Sequence, residues 1–137
     1  MKRLALVIGC CLFLFCLYSG PVFANKTAVS LEGPTSAERG SEVVVKITVI
    51  HSANSFFHYT KSLKVEANGK LIQQWDYTAG NRPEGDTFTK EVKIKVLGNT
   101  EVVAEASCNI HGSAGPGKLV IQVTNAQANP PAPEGTK

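Results

Sequence analysis

Residues 42–50 read Glu-Val-Val-Val-Lys-Ile-Thr-Val-Ile, and this stretch decides the fold class. Its apolar residues recur at every second position and would share one face of an extended strand: Val43, Val45, Ile47 and Val49. A similar alternation continues from residue 27 to residue 124, and no window of twelve or more residues carries a helical stripe of apolar side chains. The sequence therefore predicts an all-β domain.

Seven candidate strands follow from this alternation and from the turn residues between them. Their predicted limits are 27–32, 42–50, 61–67, 71–77, 87–97, 100–107 and 118–123. The clearest turn is Asn68-Gly69, which is typical of a tight hairpin. Seven short strands in about 100 residues favour an immunoglobulin-like antiparallel β-sandwich over a closed barrel. Trp75 is interpreted as a core residue, because one aromatic side chain buries a large area.

The first 24 residues have the pattern of a secretory signal peptide. A basic start precedes an apolar stretch, and the small residues Val22 and Ala24 stand before Asn25. Residues 19–21, Ser-Gly-Pro, interrupt the apolar run before it reaches the roughly 20 residues of a membrane span. We therefore expect cleavage after Ala24, export to the periplasm and no stable membrane insertion. A lipoprotein cleavage site before Cys10 is the alternative, but it leaves too short an apolar core.

Removal of 24 of the 137 residues would leave 113, enough for one domain with its own core. We expect that domain over residues 25–124, followed by a disordered, proline-rich tail at 125–137. Two of the 14 lysines and arginines lie in the leader, so 12 remain against 11 acidic residues. A net charge of about +1 implies no nucleic-acid partner.

The run Cys108-Asn109-Ile110-His111-Gly112 sets a thiol and an imidazole close together at a strand end. The other three cysteines fall in the leader, so the exported chain would keep one thiol, which cannot form an internal disulfide. It would also keep all three histidines, His51, His58 and His111. Taken alone, Cys108 is better explained as a small buried core residue, which is common for cysteine.

Topology brings these residues together. In the immunoglobulin order, loops at 51–60 and 108–117 open at the same end of the sandwich. His51 continues the inward series of one strand and Cys108 continues that of another, so both point into the same end. Three imidazoles and one thiol are therefore expected to converge. Such a set suits iron, zinc or copper rather than calcium or magnesium, which prefer oxygen ligands.

These residues resemble the iron-binding domain of the desulfoferrodoxin and superoxide reductase family. The resemblance covers Ser41 to Val123 and centres on residues 108–112, with His51 and the pair His58-Tyr59 upstream. It implies a mononuclear, non-haem iron that reduces superoxide to hydrogen peroxide, with an electron donor and an oligomeric state that the sequence does not specify. The implied metal ligands are an axial thiolate and equatorial imidazoles: Cys108, His51, His58 and His111.

The sequence departs from the family at the ligand set. Members have four equatorial histidines, whereas the exported chain has three, so a water, a carboxylate or an open face must take the fourth position. The resemblance also implies that the backbone amides of Ile110 and His111 donate to the sulfur. Lys61, Lys118 and Arg82 are candidates for steering a small anion, against the simpler interpretation of solvated surface charge.

Two other functions remain open at this point. The first is a metal-binding or electron-transfer module without catalysis, holding zinc, copper or iron, because three histidines and one cysteine suffice for a closed tetrahedral zinc site. The second is an interaction sandwich with no metal, in which Cys108 would react freely with thiol reagents whether or not iron is present.

Overall fold

The structure is a computed structural model that describes residues 25–125. The predicted leader at 1–24 lies outside the described residues, as does the predicted tail from residue 126 onward. Within the described range the chain forms strands, turns and loops, with no helix. Accordingly, no helix in this part of the chain is long and apolar enough to cross a membrane.

Eight strands make up the domain. They are β1 Ala28–Glu32, β2 Ser36–Glu38, β3 Glu42–Ile50, β4 Thr60–Ala67, β5 Lys70–Asp76, β6 Thr87–Lys95, β7 Thr100–Cys108 and β8 Gly117–Thr124. One sheet has the order β1-β3-β6, and the other has the order β2-β8-β7-β4-β5. The predicted all-β, immunoglobulin-like sandwich is confirmed. All pairs are antiparallel except β2 with β8, which is parallel.

The core lies between the two sheets and follows the predicted parity. Along β3 the inward residues Val45, Ile47 and Val49 are fully buried, while Val43 at the strand start is half-buried. They form one core with buried residues of the other strands and with Val96, which follows β6: Leu63, Val65, Val92, Ile94, Val102, Ala104, Ala106 and Ile121. Trp75 is half-buried on β5 and packs against this cluster at its edge. It is therefore a flanking residue, whereas the sequence predicted a core plug.

Two strands that contribute to the core, β3 and β7, end next to the candidate site. β3 ends at Ile50, and the backbone N–H of His51 continues the pairing by donating to Asp86 O at 2.9 Å. β7 ends at Cys108, which pairs with Thr60 at the start of β4. The loop after β3 and the loop after β7 therefore open at the same end of the sandwich.

Candidate metal centre

His51 and Cys108 occupy the next inward positions after the apolar series of β3 and β7. Both are buried, with 3% and 1% of their surface exposed. Because side chains alternate along a strand, the register that places Val49 and Ala106 in the core also points His51 and Cys108 into the site.

Asn109 joins the two loops that carry the other histidines. Its side-chain oxygen accepts a hydrogen bond from the Tyr59 N–H at 2.9 Å, and its side-chain amide donates to Phe57 O at 2.9 Å. Its own backbone N–H donates to Tyr59 O at 3.1 Å. His58 lies between Phe57 and Tyr59 in sequence, so these three bonds fix the backbone on both sides of the histidine.

The turn after β7 folds back on the thiol. Gly112 adopts a φ of +75°, a conformation that favours glycine, and its carbonyl accepts the Cys108 N–H at 3.1 Å. Within this turn the His111 N–H donates to Cys108 Sγ at 2.9 Å. His111 is one of the two amide donors that the resemblance implied. A donor at this distance orients the sulfur and is the kind of contact that surrounds metal-bound sulfur ligands.

The structure brings the ligand-type atoms together. Nε2 of His58 lies 3.1 Å from Nε2 of His51 and 3.2 Å from Nδ1 of His111. The candidate ligand atoms of His51, His58 and Cys108 all lie within 4.8 Å of one another. His111 is not a member of this closest set and joins it through His58. The roles of the four residues as metal ligands remain predictions, but their convergence is a feature of the fold.

The spacing fits one transition ion. Imidazole nitrogens bind transition ions at about 2.1 Å, so two of them on one ion are about 3.0 Å apart at right angles and about 3.4 Å apart at the tetrahedral angle. The two nitrogen–nitrogen distances, 3.1 and 3.2 Å, lie within this range. A buried thiol beside several imidazoles is a donor set for iron, zinc or copper, whereas magnesium and calcium prefer oxygen.

The four candidate ligands differ in how far their side chains are exposed to solvent. His51 and Cys108 are buried, His58 is half-buried and His111 is exposed. Burial, and then the neighbouring His58 ring, lower the pKa of His51 below its ordinary value of 6.5. The neutral imidazole is the form that binds a metal, so the fold favours the binding form of this residue at neutral pH.

Two further residues contact the cluster and were not identified from the sequence. Thr60 is buried, and its hydroxyl oxygen lies 3.4 Å from Nδ1 of His51. When Nε2 is the ligand atom, Nδ1 carries the proton and donates to this hydroxyl, which orients the ring. The carbonyl oxygen of Asn25 lies 3.1 Å from Nε2 of His51 and 3.6 Å from Cys108 Sγ. The sequence carried no ligand-type signal at either position.

The basic residues considered for anion steering are arranged differently from the prediction. Lys118 lies opposite Val103 in the middle of β7 and pairs with Glu101 at 3.5 Å, so it does not flank the site. Arg82 donates to Ala79 O within its own loop. Lys61 is exposed and follows Thr60 on β4, which leaves it as the candidate nearest to the site end.

Comparisons with known proteins connect this chain to others through its fold. No protein-family model matches the sequence, and no curated protein matches it either. Among solved structures, the superoxide reductase (neelaredoxin) of Ignicoccus hospitalis is similar with a TM-score of 0.59 at 14% identity, covering 77% of this chain and 89% of that one. A variant of the same protein gives a TM-score of 0.61 at 16% identity, covering 74% and 83%.

Other β-sandwiches are similar to a lesser degree. The fibronectin(III)-like modules of Clostridium thermocellum CbhA reach a TM-score of 0.53 at 16% identity, covering 78% of this chain and 51% of that one. Identities this low establish the fold alone. This chain therefore has the fold found in superoxide reductases, and it carries a possible histidine–cysteine metal site at one end of that fold.

Proposed function

We propose that this protein is an exported, periplasmic non-haem iron protein of superoxide reductase type. Its substrate would be superoxide, reduced to hydrogen peroxide at one iron held by His51, His58, His111 and Cys108. The observation that carries the proposal is the convergence of a buried thiol and two imidazoles, all within 4.8 Å, on a fold shared with superoxide reductases. Export rests on the leader pattern in the sequence.

Cys108 and His51 have different roles in holding the proposed iron. Cys108 provides a thiolate whose charge is supported by the His111 N–H at 2.9 Å. His51 is held from both ring nitrogens, by Thr60 on one side and by the cluster on the other. Ferrous iron, when bound, supplies the one electron that superoxide needs to become peroxide. The Cys108 sulfur, held in this way, would be one of the ligands to that iron and would donate charge to it.

Superoxide and protons would reach the iron from the exposed side of the cluster. The balanced reaction consumes one superoxide, one electron and two protons for each hydrogen peroxide released. His111 and the neighbouring Ile110 are both exposed, so a small anion and water reach the site from that side. The protons come from solvent at this rim, and the electron comes from a donor protein that reduces the iron again.

Anaerobic loading with ferrous iron tests the proposal. We expect the oxidised, iron-loaded protein to show a thiolate-to-iron charge-transfer band and to consume superoxide in the presence of a chemical reductant. Cys108→Ala should abolish the band. Ser107→Ala is the matched control, because Ser107 is the neighbouring residue on the opposite face of β7, and it should keep both properties. A chain that takes up no ferrous iron would overturn the proposal.

A second candidate is a metal-binding or electron-transfer module that does not turn over superoxide. The observation in its favour is the number of ligands, since three histidines and one cysteine complete a tetrahedral zinc site without further help. Tight metal binding, with a Cys108-dependent spectrum but no superoxide consumption, would support it. If Cys108 reacts with a thiol reagent at the same rate with and without metal, the metal-free interaction sandwich is favoured instead.

A further inference from the structure

The first described residue of the chain lies inside the metal cluster. The carbonyl oxygen of Asn25 is 3.1 Å from Nε2 of His51 and accepts a hydrogen bond from Cys108 Sγ at 3.6 Å. Both partners are candidate metal ligands, contributed by different strands. The Asn25 backbone is thus a fourth group at the place where a buried thiol and two imidazoles already meet.

Metal binding changes what this carbonyl faces. Both of these hydrogen bonds use the hydrogen of an atom that would bind the metal, one on Nε2 of His51 and one on the Cys108 thiol. Ligation removes both hydrogens, because a metal binds neutral imidazole nitrogen and thiolate sulfur. The carbonyl oxygen would then lose both of its donors while it stays close to a negative sulfur, which is unfavourable for an acceptor. Coordination of the same ion by the carbonyl removes this conflict.

The segment that carries Asn25 is anchored to the site loops. Thr27 is fully buried, its N–H donates to Gly112 O at 3.3 Å, and its carbonyl accepts the Ala114 N–H at 2.9 Å. On the other side, Ser52 Oγ donates to Asn25 Oδ1 at 2.6 Å. The backbone of Asn25 is therefore held between the His51 loop and the Cys108 loop, and little rearrangement is needed to place it on a metal.

Asn25 is also the residue that the leader pattern makes the first of the exported chain. We propose that its backbone binds the metal beside the four side-chain ligands: the α-amino group that cleavage after Ala24 creates takes the place of the missing fourth histidine, and the carbonyl oxygen holds the sixth position, from which superoxide displaces it. These two atoms belong to one residue and would close a five-membered chelate ring. The inference rests on the proposed iron site, and it makes removal of the leader the step that completes the metal centre.

Insertion of one glycine between Ala24 and Asn25 tests this inference. The full precursor is exported and processed in the cell, and mass spectrometry verifies whether the chain begins at Asn25 or at the inserted glycine. The extended chain keeps every side chain but moves the α-amino group one residue away. Ferrous affinity is then measured anaerobically by competition with a chelator. We expect the extended chain to bind iron at least about tenfold more weakly.

Lys26→Ala serves as the matched control. Lys26 is exposed in the same segment, and its replacement leaves the α-amino group at Asn25, so ferrous affinity should equal that of the unaltered chain. Urea unfolding of the metal-free proteins checks that the inserted glycine leaves the core intact. Equal ferrous affinities for the extended and unaltered chains would overturn the inference.

A spectroscopic measurement reports on the bond itself. Protein labelled with ¹⁵N-asparagine and loaded with copper(II) should show a directly bound ¹⁵N by pulsed electron paramagnetic resonance, and the extended chain should lose that signal. Absence of the signal from the unaltered chain would also overturn the inference. The proposed iron site is judged separately: a Cys108-dependent charge-transfer band in both chains sustains it, whereas a lack of ferrous binding in both chains removes it.

Discussion

The interior and the site end of this sandwich are built from the same strands with different chemistry. β3 contributes Ile47 and Val49 to the core and is followed by His51, and β7 contributes Ala106 and ends at Cys108. Inside, apolar side chains are held by burial, which has no preferred direction. At the end, directional hydrogen bonds position the imidazole and thiol groups. Asn109 bonds the backbone on both sides of His58, the Thr60 hydroxyl bonds Nδ1 of His51, and the His111 amide donates to Cys108 Sγ.

The difference teaches that stability and metal binding have separate sources in this chain. The core determines how strands align, and that alignment places the ligands on the inward face. The distances between ligand atoms depend instead on the two loops and on the bonds between them. Core substitutions should therefore lower stability and leave ferrous affinity nearly unchanged, whereas loop substitutions should change ferrous affinity.

Leu63→Ala should give the largest loss of stability. Leu63 is fully buried at the centre of β4, so its truncation removes apolar contacts and leaves a cavity. We expect the free energy of unfolding, measured with urea, to fall by about 2–5 kcal/mol. Ferrous affinity of the folded protein should remain within a factor of about three, because the loop hydrogen bonds are untouched.

Leu71→Ala is the control for this substitution, since Leu71 lies on the neighbouring strand β5 with 49% of its surface exposed. Its effect on unfolding should stay within about 0.5 kcal/mol. If Leu63→Ala weakened metal binding as strongly as it weakened folding, the separation between core and site would be wrong.

Asn109→Ala should affect both measurements. It removes the acceptor for the Tyr59 N–H and the donor to Phe57 O, so we expect a loss of about 1–3 kcal/mol in unfolding free energy. The loop that carries His58 would also lose its fixed position. For that reason ferrous affinity should fall by about 10- to 100-fold, as when groups that orient a ligand are removed.

Asn68→Gly provides a closely matched control at the opposite end of the same sheet. Asn68 accepts from the Glu101 N–H at 2.8 Å and donates to Asn99 O at 3.3 Å, which are the same two kinds of bond that the Asn109 side chain makes. Glycine accommodates its φ of +49°. The substitution should lower stability and leave ferrous affinity unchanged. Equal effects of the two variants on affinity would show that Asn109 acts through global stability alone.

Most of the fold could be predicted because long alternating strands carry a strong signal. Val45, Ile47 and Val49 identify both the strand and its buried face, and the structure confirms them. β2 was missed because Ser36–Glu38 has three residues, too few to display a period. The half-burial of Trp75 was also missed. It results from the position of β5 at the edge of its sheet, and the order of strands in a sheet cannot be predicted from the sequence of one strand.

Only those site residues whose side chains commonly bind metals could be predicted from the sequence. Cysteine and histidine are uncommon and have a shared chemistry, so parity and loop position sufficed to bring Cys108 and His51 together. Asn109 and Asn25 act through hydrogen bonds and backbone oxygen, which asparagine also provides in ordinary turns. The sequence therefore does not distinguish an asparagine at the site from an asparagine in an ordinary turn. Lys118 was placed wrongly because its distance from the site depends on the register of β8 against β7.

The smallest expected effect belongs to a surface ion pair outside both regions. Lys90 Nζ lies 2.8 Å from Glu84 Oε1, and 58% of the Glu84 side chain is exposed. The hydrogen bond from Lys90 lowers the pKa of Glu84 below its ordinary value of 4.5, and the same bond raises the pKa of Lys90 above 10.5. Solvent screens such a pair, so Glu84→Gln should cost at most about 0.5 kcal/mol at pH 7.

The pH dependence of this cost follows from the sign of each shift. The contribution of Glu84 is present above pH 4.5 and is lost as the pH falls through its lowered pKa, because the folded and unfolded states then bind the same proton. The contribution of Lys90 is present below pH 10.5 and is lost at more alkaline pH. Urea unfolding of both proteins should therefore show a small constant difference near neutrality that vanishes in acid. A difference that grew in acid would contradict the pairing, and a change in ferrous affinity would place Glu84 in the site.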